Sequence, residues 1–495
     1  MTPNYAVEAL TLFDGYRDGE AVVYLDRRLS YRDLADGVRR MAATLRGTTG
    51  AVAVLAGNPP EVVMAQLALH LLGRRTVWIA PNAPIRLTAD YLKQAEVGTF
   101  IFDSRTHSEL GARLAGPDLT ALHFGPDGEL SAVPEGTVGA VLGGEPESIF
   151  QTGGTTGRPK LVWHRHDFYD TLLAGAARYK AAGHPTLRHI GQTPFWHASA
   201  QAAALMTLFT GGTLVLLDRF EAGQYLRIIE AERINSAILP PPMLYKLLDH
   251  PDLPGTDVGS LDNFYCAGSA IAPTRLAEAV DRFGPVMTVS YGMSEATSIA
   301  SYPMAQHDPA HPERLACCGK PNPAAKVEIR SDGGLPVRNG EIGEVWAQVS
   351  LMTSGYWGQP ELTAQTLVDG WLRTGDVGYL DQDGYLFLVD RVKDMIVTGL
   401  TSTNVYSRTV EDVLVAHPRV RAAAVIGVPD EHVGEAVHAV VEAGVDEVTP
   451  EELRRWAIDN LNELWAPATV EIVDRLPLTD MGKVDKKALR ASLAT

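Results

Sequence analysis

Ala51-Val52-Ala53-Val54-Leu55 reads as a strand, and the alternation of elements that begins with it decides the fold class. Pro60–Leu72 carries a helical pattern, Thr76–Ile79 a second strand, Ala89–Gln94 a helix and Gly98–Phe102 a third strand. The order repeats further on in Thr213–Leu217, Ala222–Glu232 and Ser236–Leu239. Short β-branched runs alternating with Ala/Leu-rich helices predict α/β architecture with largely parallel sheets.

Further along the chain the texture changes twice. From about Lys326 the strands Val327–Arg330, Gly343–Val349 and Tyr385–Val389 are separated by Gly/Asp turns with little helix, as in a small antiparallel or barrel-like piece. Beyond Asp390 come a helix (Ser407–Ala416), strands (Ala422–Gly427, His438–Glu442), a helix (Pro450–Leu464) and a strand (Thr469–Val473). The expected division is therefore a large domain, residues 1–390, with a β-rich subdomain at about 326–390, and a small α+β domain, residues 391–495.

The 495 residues, 45% hydrophobic and 21% charged, exclude a disordered or collagen-like chain. A net charge of −17 argues against nucleic acid or an anionic membrane as partner, because nothing offsets phosphate repulsion. Three cysteines, Cys266, Cys317 and Cys318, exclude a disulfide framework and a Cys-rich zinc site. Met1-Thr2-Pro3-Asn4-Tyr5 has no basic or apolar run, so a cytoplasmic protein is expected. Ala198–Leu217 carries no charge, but Gly211-Gly212 breaks it. It reads as a buried helix (Ala202–Phe209) and a strand, with no membrane span.

The strongest local signal is Gln151-Thr152-Gly153-Gly154-Thr155-Thr156-Gly157-Arg158-Pro159-Lys160. Glycines let backbone N–H groups approach an anion, threonines add hydroxyl donors, and Arg158 and Lys160 add positive charge. A lone Gly-rich loop would be read as an ordinary surface loop. This density of donors, uninterrupted by an acid, reads as a polyphosphate cradle. It is not a Walker A loop, because the Gly-Lys-[Ser/Thr] ending is missing.

The stretch resembles the phosphate loop of the adenylate-forming superfamily, which includes acyl-CoA synthetases, luciferases and peptide-synthetase adenylation domains. Gly153 stands where that family has Ser, and Leu161 where it has a final Gly. More matches come in the family's order. Pro194-Phe195-Trp196-His197 resembles the aromatic-His segment at the acyl pocket. Ala267-Gly268-Ser269-Ala270 resembles the adenine-binding turn, and Tyr291-Gly292-Met293-Ser294-Glu295 the Tyr-Gly-x-Thr-Glu motif. Arg373-Thr374-Gly375-Asp376 and Asp390-Arg391-Val392-Lys393-Asp394 resemble the ribose and hinge motifs. Pro477–Lys483 resembles the C-terminal Pro-x-x-x-x-Gly-Lys.

The resemblance implies ATP and Mg²⁺ as cofactors and a small-molecule carboxylic acid as substrate. It gives Thr152–Gly157 and Lys160 to the phosphates, Gly268, Ser269, Ala270 and Tyr291–Ser294 to the nucleotide base, and Asp376 and Arg391 to the ribose. Glu295 suits a Mg²⁺ that keeps most of its waters. Trp196, His197, Ala198, Ser199, Ala202 and Ala203 line the acyl pocket, whose small residues leave room for a flat aromatic or heteroaromatic acid. Lys483, Glu295 and His197 are the expected catalytic residues. Lys483 bridges the carboxylate and α-phosphate until the C-terminal domain, mobile about Lys393, rotates away. Each has a plain reading beside this one: an exposed lysine, a solvated acid, a core histidine. His164 and His166 have no nearby acid or Cys and read as structural. Gly292–Ala296 could instead be a serine hydrolase elbow, though Ala296 stands where that motif wants Gly. A catalytically dead nucleotide-binding module is the third reading, and the retained Lys483 and Glu295 argue against it.

One departure bears on the second substrate. CoA-using relatives commonly carry Ser-Gly-Gly-Glu-Asn-Val-Tyr after the hinge. Here the run is Thr398–Tyr406, longer by two residues, with Leu400 for the second Gly; Trp465 also replaces a lysine near the chain end. A bulkier, less basic route favours an amine over CoA, as in the stand-alone amide bond synthetases of β-carboline (marinacarboline-type) biosynthesis, which the length and the Lys483 position also resemble. The alternative is an acyl-CoA ligase whose loop has drifted. A carrier protein acting in trans stays open.

Overall fold

The computed structural model describes residues 4–493 apart from 49, 82–84, 116–118, 126–127, 132–143, 153–159, 392–393, 399–402, 431–433, 445–446 and 480–482. Among the described residues the strands form four sheets. The architecture is α/β, with a large N-terminal part and a smaller C-terminal α+β part, as expected.

Two of the sheets have parallel interiors. In the six-stranded sheet Ala51–Leu55 lies between Arg75–Trp78 and Val97–Asp103, all parallel, and only the edge strand Lys160–His164 runs antiparallel. The nine-stranded sheet is parallel through Glu20–Tyr24, Thr213–Leu216, Arg188–Gly191, Ser236–Leu239, Asn263–Ala267 and Met287–Met293, then closes with antiparallel edges. Side chains alternate along each strand. Val52 and Val54 therefore face one core while Ala51, Ala53 and Leu55 face another. The first core also takes Val22, Tyr24, Leu214 and Leu216 from the nine-stranded sheet. Between the two sheets lie the helices Tyr5–Tyr16, Tyr31–Leu45, Pro60–Leu71, His166–Ala181 and Ala198–Phe209, a shared layer that fixes one sheet against the other.

The β-rich piece is a five-stranded sheet of Lys326–Arg330, Gly343–Gln348, Leu367–Val368, Trp371–Leu380 and Leu386–Arg391. A second five-stranded sheet holds Ile396–Thr398, Thr403–Val405, Val420–Asp430, Gly434–Ala443 and Thr469–Val473. Helices Ser407–Val415 and Pro450–Asn460 cover one face through Val410, Leu414, Leu453 and Ala457, while Leu489 of the last helix packs on Ala424 and Ile426 at the other.

Expected helix bounds need correction. The helix expected over Ala202–Phe209 begins at Ala198, because small and β-unbranched residues continue the turn back to His197. The helix expected over Pro450–Leu464 ends at Asn460. The strand Met287–Met293 turns back at once as Ala296–Pro303. No helix among the described residues is long and apolar enough to cross a membrane.

Candidate active site

The Gly/Thr-rich stretch joins two antiparallel strands, Glu147–Thr152 and Lys160–His164, so it caps a hairpin at the edge of the six-stranded sheet. Gly153, Gly154, Thr155, Thr156 and Gly157 lie outside the described residues. Thr152 and Lys160 face each other in register at its base. A few residues further, His164 Nε2 donates to the Ser294 carbonyl at 2.9 Å, and burial pulls its pKa to about 4. His164 is thus a structural link between the two motif hairpins, as its sequence context implied.

A strap that no sequence motif singled out completes that link. Met352 bridges Ala296, and Thr353 N–H donates to the Glu295 carbonyl at 2.7 Å. On its other side Ser354 N–H donates to Trp163, Trp163 N–H to Gly355 and Trp357 N–H to Leu161. Leu351–Trp357 therefore sews the phosphate hairpin to the Glu295 turn. Glu295 is buried, 5% exposed, and its Oε1 accepts from Tyr356 Oη at 2.8 Å. The Lys160 ammonium stands 5.2 Å from the centroid of the same Tyr356 ring, within cation–π range.

Ser294 and Glu295 occupy the turn between two antiparallel strands. A nucleophile elbow needs a strand-to-helix turn, so the serine hydrolase reading fails on topology. Gly292 is required locally: a Cβ there would stand 2.6 Å from the Thr297 carbonyl oxygen.

Asp376 pairs in register with Arg391, across two strands of the β-rich sheet. The residue is 4% exposed, and its carboxylate is held from both sides. Tyr291 Oη donates to Oδ2 at 2.6 Å, and Arg391 Nε lies 2.9 Å from Oδ1. Burial and the neighbouring carboxylate push the Tyr291 phenol well above its usual pKa, so it stays a donor. The Gly268 turn comes after the strand Asn263–Ala267, and its φ of +96° is a conformation that favours glycine. Ser269 and Ala270 are exposed beside it.

The acyl candidates sit where the helix Ala198–Phe209 begins. Ala198 is buried, Ser199 exposed, and Ala202 and Ala203 half-buried. Ser199, Ala202 and Ala203 share one face by their i, i+3, i+4 spacing, opposite the core face of Gln201, Ala204 and Leu208. Trp196 Nε1 and His197 Nε2 are buried without a hydrogen-bond partner among the described residues. Burial, and secondarily the Lys483 charge, lower the His197 pKa to about 4, so the imidazole is neutral at pH 7.

Lys483 links the two ends. Its turn closes through Thr479 N–H to the Lys483 carbonyl and Lys483 N–H to Thr479 Oγ1. Its side chain reaches the large part of the molecule: a Cβ at Gly268 would stand 3.7 Å from Lys483 Cε. With its effect on His197, that sets the Lys483 side chain near both Gly268 and His197. Asp390 ties the same two parts, accepting from Ser407 N–H and Oγ, while Lys486 Nζ donates to that Oγ at 2.7 Å. Lys393 and the 399–402 run, with Leu400, lie outside the described residues. Trp465 packs edge-on to Tyr406, ring centroids 5.7 Å apart, at the end of that run.

A family profile described as AMP-binding enzyme matches residues 13–357, and one described as AMP-binding enzyme C-terminal domain matches residues 409–483. The chain belongs to the adenylate-forming, AMP-binding enzymes. Among curated members of this superfamily, the medium/long-chain-fatty-acid–CoA ligase FadD8 of Mycobacterium tuberculosis is 39% identical over 94% of this chain and 86% of its own. Feruloyl-CoA synthase of an Amycolatopsis species is 32% identical over 93% of each. Among solved structures, the amide bond synthetase McbA from Marinactinospora thermotolerans superposes with a TM-score of 0.86 at 34% identity, covering 98% of this chain and 99% of that one. The expected superfamily and fold are borne out, and this protein is an adenylate-forming ligase.

Proposed function

We propose that this ligase activates an aromatic or heteroaromatic carboxylic acid as its acyl-adenylate and passes the acyl group to an amine. The observation that carries the first step is the position of Lys483, beside Gly268 and electrostatically coupled to His197. In that step a carboxylate oxygen attacks the α-phosphorus of ATP, and the bond to the bridging oxygen breaks with its electron pair going to pyrophosphate. Two anions must be brought together. His197 is neutral and supplies no charge, so Lys483 is the cation that offsets the approach. Asp376 offers its remaining lone pairs to the ribose hydroxyls, with Tyr291 and Arg391 fixing its orientation. Gly268, Ser269, Ala270, Gly292, Met293 and Ser294 flank the base, and Thr152–Gly157 with Lys160 hold the β,γ-phosphates.

The residues present fit Mg²⁺. Among the described residues no cluster of three His, Cys, Asp or Glu side chains forms a metal cage. A single buried carboxylate, Glu295, suits a hard ion that keeps its waters and is carried on phosphate oxygens. Such an ion would offset phosphate charge; Glu295 would hold it and Tyr356 would hold Glu295.

In the second step the amine nitrogen attacks the acyl carbon, the bond to phosphate oxygen breaks, AMP leaves with the pair, and the nitrogen loses its proton. We place the division of labour at residues 1–390 and 391–495, with rotation near Lys393 withdrawing Lys483 and opening the carbonyl. Full-length likeness to an amide bond synthetase supports the amine, together with Leu400 and Trp465. The small side chains of Ser199, Ala202 and Ala203 on the helix that follows Trp196 support a flat acid. A second reading, transfer to CoA, is favoured by the 39% identity to a CoA ligase. ATP–pyrophosphate exchange across aryl, heteroaryl and fatty acids tests the first step: exchange with aryl acids and little with fatty acids is expected, and the reverse order would overturn the choice of acid.

A further inference from the structure

Tyr356 touches both charged groups assigned above to the phosphate end, yet no motif in the sequence pointed to it. Its hydroxyl donates to Glu295 Oε1 at 2.8 Å, and its ring lies under the Lys160 ammonium at 5.2 Å. Its backbone is fixed independently of either. It bridges Val162 on the phosphate hairpin, and its N–H donates to Thr363 Oγ1 at 2.9 Å. The ring is buried, 4% exposed, and packs into the main core. The side chain is therefore held by the scaffold and in turn holds the two groups.

We infer that Tyr356 is a positioning residue for the metal–nucleotide complex. The inference rests on Glu295 being the metal's carboxylate, as proposed above. A buried carboxylate ligand must keep one orientation to present an oxygen to an ion. The phenol fixes that torsion by occupying part of Oε1, and leaves the other lone pairs available. Partners of this kind, one step out from the metal, typically change metal affinity by about 10–100-fold when removed. The ring face contributes separately. It holds the Lys160 ammonium over a neutral surface at the base of the phosphate hairpin, where a leucine would offer no quadrupole. One side chain thereby couples the lysine that meets phosphate to the carboxylate that meets metal, across the strap Leu351–Trp357.

Two variants separate these contributions. Tyr356→Phe keeps the ring and loses the donor; Tyr356→Leu loses both. The readout is binding of Mn²⁺ in the presence of a non-hydrolysable ATP analogue, monitored by electron paramagnetic resonance of free Mn²⁺, with thermal unfolding of each variant in parallel. Tyr356→Phe is expected to weaken Mn²⁺ binding by about tenfold. Tyr356→Leu should weaken it at least as much and also weaken binding of the analogue measured without metal. Glu295→Gln is the control for the underlying assignment. If Glu295→Gln leaves Mn²⁺ binding unchanged, the metal role of Glu295 falls. If Glu295→Gln weakens it while Tyr356→Phe lowers only the melting temperature, Glu295 stands and the positioning role of Tyr356 is overturned.

Discussion

The two ends of the site are built in opposite ways. At the proposed nucleotide end the two buried carboxylates are already partnered inside the protein: Asp376 with Tyr291 and Arg391, and Glu295 with Tyr356. At the proposed acyl end, Trp196 Nε1 and His197 Nε2 are buried with no hydrogen-bond partner among the described residues, and the small residues Ser199, Ala202 and Ala203 share the nearby helix face with Met206. A buried polar atom without a partner costs about 1–3 kcal/mol. A pre-paired network is rigid before its ligand arrives, whereas orphaned atoms gain their bonds only from what enters. On the proposed assignment, the nucleotide meets carboxylates already held in place, and the acid meets atoms with no partner among the described residues. Lys483 lies near both Gly268 and His197.

The largest expected effect is at that junction. Lys483→Ala should lower acid-dependent ATP–pyrophosphate exchange by about 10²–10³, the cost of removing one preorganised transition-state group. Reaction of a pre-made acyl-adenylate with the second substrate should fall far less. Equal losses in both assays would end the idea that Lys483 serves only the adenylation geometry.

The frame itself is probed next. Asp376→Asn keeps the shape and weakens the acceptor. AMP affinity measured by calorimetry should drop by roughly tenfold or more, in line with charge-assisted hydrogen bonds worth about 1.5–3 kcal/mol. Unchanged affinity would remove Asp376 from the nucleotide end and blur the contrast between the two halves.

How much of this contrast was legible beforehand differs between its parts. The parallel sheets were legible because Ala51–Leu55 and Thr213–Leu216 are short apolar strands set between helical patterns of a different period. Tyr291, Asp376 and Arg391 were each picked out by resemblance, but the bond from Tyr291 to Asp376 crosses 85 residues of chain and has no local signature. The tight turn at Ser294-Glu295 is not legible in the sequence, because it carries none of the Gly, Asn or Asp that mark tight hairpins. Tyr356 was missed outright. It stands in Gly355-Tyr356-Trp357, where aromatic residues keep no period, and its partner Glu295 is 61 positions away. The orphaned atoms at Trp196 and His197 are a property of packing, which no sequence pattern encodes.

The smallest expected effect concerns acid stability. Burial lowers His70 to about 3, and His164, His189 and His197 to about 4, below the ordinary value near 6.5. Between about pH 6.5 and 4 the unfolded chain binds protons that the folded one refuses, so these residues contribute stability above that window that is lost as pH falls through it. Thermal unfolding from about pH 7 to about pH 4.5 should show a falling melting temperature. His197→Gln should make the fall shallower by the share of one histidine. An identical slope would mean that His197 is not held neutral, and that the acyl end carries a charge this account denies it.

The most direct test tracks the product. The enzyme is incubated with ATP, Mg²⁺, an aryl acid and a hydrophobic primary amine, with and without CoA, and products are separated by chromatography. The account predicts amide in both cases, at a rate that rises with pH until the free amine dominates. Strict dependence on CoA, with thioester appearing before any amide, would contradict it and make the protein an acyl-CoA ligase.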